Sequence, residues 1–77
     1  MAPTRREALT TLGASADVLT FRMTGAGDEV FVALNRGDDA EAAPGLPAGS
    51  YVDALTGAAV TAPLQVPPRT GLVLVRP

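Results

Sequence analysis

Hydrophobic and polar residues alternate with a period of two along much of this chain. Over residues 18–24, Leu19, Phe21 and Met23 fall on one side and Thr20, Arg22 and Thr24 on the other. That is the pattern of a half-buried strand whose apolar side meets a core. Residues 25–28, Gly-Ala-Gly-Asp, supply a hairpin loop in which glycine tolerates positive φ. Residues 29–35 are apolar on both faces, which predicts a central strand covered on both sides. Asn35 to Asp39 reads as a turn. A short edge strand is expected over 39–43, because Pro44 and Pro47 forbid an interior strand beyond it.

The second half continues in short pieces. Residues 50–55 form a strand with Tyr51, Asp53 and Leu55 on one face and Val52 and Ala54 on the other. Thr56-Gly57 is a turn signal, and 59–62 return as the hairpin partner. Residues 63–66 alternate briefly before Pro67-Pro68, and 71–76 make an apolar terminal strand. Near the start, 7–12 fits a strand or a single helical turn; Thr10 and Thr11 favour the strand. No window keeps a 3.6-residue period. The pattern therefore predicts an all-β fold, an antiparallel β-sandwich of about seven short strands with Greek-key-like connections.

Composition narrows the chemistry. The 77 residues suffice for one small domain, placed at 7–77, and residues 1–6 are expected to be a disordered or expression-derived tail. Cysteine and histidine are both absent. The chain alone therefore cannot supply a disulfide, a thiolate metal site, a catalytic cysteine or a histidine base. A net charge of −2 without basic runs gives no footprint for nucleic acid. The longest apolar run, 30–34, is far below a membrane span, and the N-terminus has no apolar signal core. All six basic residues are arginine and alanine is abundant, a bias typical of a GC-rich, bacterial-type genome.

Three segments carry a resemblance. EVFVALNRGDD, LPAGSYVDALTG and LQVPPRTGLVLV, in that order and spacing, resemble the C-terminal β-sandwich domain of α-amylase-family glycoside hydrolases. That family includes α-amylases, neopullulanases, cyclomaltodextrinases and α-glucosidases. The matching positions are residues 30–35, then Gly49, Tyr51, Asp53, Thr56 and Gly57, then residues 67–75. The leading segment ALTTLGASADVLTFRMTGAGDE also looks like the first strands of that domain, so the similarity runs from about Glu7 onward. The resemblance implies a non-catalytic accessory domain that stabilises or covers a catalytic (β/α)8 barrel. The family's catalytic residues lie in that barrel, so none is carried onto this chain, and no cofactor or metal is implied.

Candidate chemistry within the chain is sparse. Glycoside hydrolysis needs two carboxyl groups about 5–5.5 Å or about 6.5–9.5 Å apart. Asp53 has no second acid in its own hairpin, and a role accepting N–H bonds from its turn is favoured, with the Tyr51 ring buried and its hydroxyl bonded to backbone. Asp38, Asp39 and Glu41 read as a solvated loop rather than a Ca²⁺ site, since they lack the spacing of a Ca²⁺ loop. Arg69 is expected as an exposed bend residue, with an interdomain ion pair as the alternative. Tyr51 is the candidate carbohydrate contact if the domain binds α-glucan. Val30, Val32 and Leu34 are assigned to the core, which leaves Phe31 and Ala33 as the candidate interface on the opposite face. A barrel, a second copy of the chain or a crossing loop could cover that face. The alternatives to an accessory domain are an independent oligosaccharide-binding module and a small self-associating sandwich.

Overall fold

The structure is a computed structural model that describes residues 8–25 and 28–77. The expected N-terminal tail, 1–6, and Glu7 lie outside the described residues. Eight strands follow one another: β1 (Ala8–Ala14), β2 (Val18–Gly25), β3 (Asp28–Asn35), β4 (Glu41–Ala42), β5 (Gly49–Asp53), β6 (Ala59–Ala62), β7 (Gln65–Val66) and β8 (Thr70–Val75). Six build one antiparallel sheet in the order β1-β2-β3-β8-β5-β6, and β4 pairs with β7 in a second, two-stranded sheet. The fold is thus an all-β antiparallel sandwich with one large and one very small layer. β8 returns between β3 and β5, so the closing connection passes through the small layer before re-entering the large one.

The core lies between those layers. Phe31, Tyr51, Ala62 and Leu74 form one buried cluster, with Leu12, Leu46, Val60, Leu64 and Leu72 packed against it. Val18, Ala33 and Val66 form a second, joined by Ala43, Leu64 and Leu72. Asn35, at the end of β3, ties the small layer down. Its Nδ2 donates to the carbonyls of Asp39 at 2.9 Å and Val66 at 3.0 Å, and its Oδ1 accepts from the Gly37 amide at 2.8 Å. A buried amide with those bonds is satisfied and fixes the crossing loop over the sheet.

At the β1 edge the register shifts between Thr11 and Gly13, a bulge that frees Leu12 from the ladder to pack into the core. Gly13 is required there: a Cβ would lie 2.6 Å from the Pro44 carbonyl oxygen. A Cβ on Gly45, at φ 74°, would fall closer still to the Leu12 carbonyl oxygen. The crossing loop therefore seals the core edge through two glycines.

The faces of β2 and β3 are the reverse of the sequence expectation. Phe31 is 1% exposed and Ala33 0%, so neither can form an open patch, whereas Leu34 is 45% exposed. In β2, Val18 and Thr20 are buried while Leu19 is 39% exposed. Cross-strand register explains the inversion. Phe31 stands opposite Leu74 and Ala33 opposite Leu72, and both partners face the small layer. The same register places Arg22 opposite Phe31 and Thr20 opposite Ala33. Leu19, Phe21 and Met23 must then join Val30, Val32 and Leu34 on the other face, because side chains alternate with period two. β3 is central, as expected, but among the described residues it is covered on one face only.

Candidate interaction surface

The face of the large sheet turned away from the small layer is a continuous apolar surface. Register sets it out in rows. Leu9, Met23, Val30, Val75 and Val52 lie side by side across five strands. The next row is Thr11, Phe21, Val32 and Val73, and the third is Ala14, Leu19, Leu34 and Gly71. Phe21, Met23, Val30, Val32, Val73 and Val75 are all half-buried, shielded by lateral neighbours, and among the described residues no further layer covers them. No charged residue occurs in any of the three rows. Thr11 is the polar member of these rows, and the surface also becomes polar towards β5 and β6, where Ser50 stands opposite Thr61.

Gly71 completes the surface in an unexpected way. A Cβ there would fall 2.9 Å from a Leu34 methyl. Leu34 therefore lies across the glycine instead of projecting from the sheet, which flattens that corner of the face.

The other candidate residues resolve into structural roles. Tyr51 is 1% exposed, so it offers no platform for a sugar ring. Its hydroxyl donates to the Pro47 carbonyl at 2.6 Å, and its ring meets Phe31 edge to face at 5.2 Å. Asp53 Oδ1 accepts the Leu55 amide at 2.8 Å, and the Asp53 carbonyl accepts Gly57 N–H at 2.7 Å, which closes the turn. Gly57 sits at φ 80°, the left-handed region that glycine enters freely. Leu55, expected on the Tyr51 face, is instead in that turn and 71% exposed.

Two of the three acidic loop residues, Asp38 and Glu41, are engaged with separate partners. Asp38 accepts two bonds from Arg69, at 2.6 and 2.9 Å, and Glu41 accepts the Ser15 hydroxyl at 3.3 Å. Arg69, at φ 53°, thus forms its ion pair within the domain, on an exposed surface where such a pair adds little stability. Among the described residues no group of three or more acidic side chains is gathered in a way that could hold a metal ion.

Two features carry no signal in the sequence. Arg76 stacks its guanidinium 4.6 Å above the Tyr51 ring and 5.3 Å from the Phe31 ring, capping the aromatic pair. Only the position of Arg76 one step beyond Val75 in β8, in phase with Leu74 and Leu72, could have indicated its face. The second feature is the buried Thr20 hydroxyl, which has no hydrogen-bond partner among the described residues. The chain matches no protein-family model, no curated protein and no solved structure. What defines the molecule is therefore its architecture: a small antiparallel sandwich with one layered core and one open, uncharged, apolar sheet face.

Proposed function

We propose that this chain is a non-catalytic accessory domain of an α-amylase-like glycoside hydrolase, and that the open face of its large sheet packs against the catalytic (β/α)8 barrel. The observation that carries the reading is the uncharged apolar surface centred on Phe21 and Val32. A contiguous apolar surface of this kind on a soluble domain marks a site that is covered in its working state. The resemblance of the β3, β5–β6 and β7–β8 segments to the tail domain of that family supplies the identity of the partner. The domain brings no chemistry of its own, since it has neither histidine nor cysteine and Asp53 is committed to its turn.

Co-expression with an α-amylase-type barrel stripped of its own tail domain tests this. The expected result is capture of the domain and a rise in the melting temperature of the barrel, both lost with Val32→Lys. Failure to bind, or binding indifferent to Val32→Lys, overturns the reading. Turnover of starch by the isolated chain above the buffer rate overturns its non-catalytic part. The independent sugar-binding module is less well supported, because Tyr51 and Phe31 are both buried. Calorimetric titration with maltoheptaose is expected to give no heat of binding.

A further inference from the structure

We infer that the 77-residue chain on its own forms a two-fold symmetric dimer, with the open faces of two large sheets packed against each other. The inference rests on the reading of that face as a docking surface; in the free chain the occupant is a second copy. Three observations select the second copy. First, the face carries no charged residue in its three rows, and the chain bears a net charge of only −2, so two copies meet with little repulsion. Second, apart from Thr11 at the β1 edge the surface is of one chemical kind, aliphatic with a single central aromatic, Phe21. Self-complementarity then needs only shape, the condition an isologous contact imposes.

Third, the area is adequate. The apolar rows span β1, β2, β3 and β8, four strands at about 4.8 Å spacing, and run about six residues at about 3.3 Å each, a projected area of about 400 Å². Side-chain relief raises the accessible area to about 600–700 Å² per copy, or about 1,200–1,400 Å² in total, at the lower bound of specific interfaces. The dimer is therefore a weak one, in exchange at micromolar to millimolar concentration. Stacked sheets of this kind lie about 10 Å apart, with strand directions within about 30°.

Symmetry adds a residue-level consequence. The two-fold axis that superposes the most apolar area passes through the centre of the patch, next to the Phe21–Val32 cross-strand pair. Val32 of one copy then faces Val32 of the other. A buried pair of like charges at that point opposes the dimer, and a pair of opposite charges is tolerated.

Sedimentation velocity across a hundredfold concentration range tests the inference. The parent chain is expected to shift from monomer to dimer, and Val32→Asp and Val32→Lys are each expected to stay monomeric. Mixing the two variants is expected to restore dimer. A parent chain that is monomeric throughout overturns the inference and leaves capture of the barrel to its own assay. A dimer that survives in both charged variants also overturns it, moving the contact elsewhere. The edge strands β1 and β6 are the other surfaces able to pair, and loss of that dimer on Thr10→Pro would locate it at β1. Circular dichroism checks that each variant is folded. Should Val32→Asp fail to fold, Leu34→Asp, at an exposed position of the same face, carries the test with the same expected loss of dimer.

Discussion

The assignment of faces in β2 and β3 can be tested by truncating one phenylalanine on each side of the sheet. Phe31 is 1% exposed, touches Tyr51 edge to face and lies beneath the Arg76 guanidinium. Truncating a buried phenylalanine to alanine costs about 3–5 kcal/mol, of which an aromatic pair accounts for about 0.5–1.5 kcal/mol. A 77-residue domain has a total stability of about 4–12 kcal/mol at the usual value per residue. Phe31→Ala therefore removes a large fraction of it. Phe21 is half-buried on the open face, and its truncation forfeits only lateral contacts, about 1 kcal/mol.

Guanidinium unfolding followed by far-ultraviolet circular dichroism separates the two. With an m-value of about 2 kcal/mol/M, Phe31→Ala is expected to lower the midpoint by about 2 M and Phe21→Ala by about 0.5 M. The measurement belongs at low protein concentration, because association through the open face would stabilise the parent chain by mass action. Equal costs for the two variants, or a larger cost for Phe21→Ala, would refute the face assignment and, with it, the docking surface built on it.

Three further outcomes follow from local geometry. Thr20→Val replaces a buried hydroxyl that lacks a partner with a methyl of similar size, so stability should be unchanged or higher by up to about 1 kcal/mol, read from the same midpoint; a clear loss would show that the hydroxyl is bonded. Gly57→Ala places its Cβ in open space and should cost only the left-handed backbone term, about 1 kcal/mol, whereas Gly45→Ala also drives a Cβ into the Leu12 carbonyl and should cost distinctly more. Tyr51→Phe keeps the ring in place and removes its bond to the Pro47 carbonyl, for a loss of about 1 kcal/mol by thermal melting.

Much of the strand plan could be read from alternation and turn residues. The hairpin of β5 and β6, the short β4, and β7 ahead of the Pro67-Pro68 bend all fall where prolines and glycines confine them. Asp53 and Tyr51 also do what their types suggest, one bonding its turn and the other a carbonyl. Which face looks inward was not legible. Alternation shows that Leu19, Phe21 and Met23 share a side, but it does not say that the side is the core. In β2 the more hydrophobic side is the open one, and the core side carries Thr20 and Arg22. That choice is made by register with β8 and β5, at a distance in sequence that no local window spans. The role of Arg76 was hidden for the same reason, since its aromatic partners lie 45 and 25 residues away in the chain.

The inversion also bears on why a domain this small would keep an open apolar face at all. Among the described residues its core lies on one side of the large sheet, roofed by a two-stranded layer and its flanking loops. A chain of this length buries only about 60% of its unfolded surface, so the internal margin is thin. On the proposed reading, packing against a barrel adds a second buried layer, and β3, apolar on both faces, becomes the doubly covered strand that its sequence describes. The partner then stabilises the folded domain by mass action as the domain covers the partner. The hydrophobic side of β2 is in that case a core residue set after all, completed only by the molecule against which it packs.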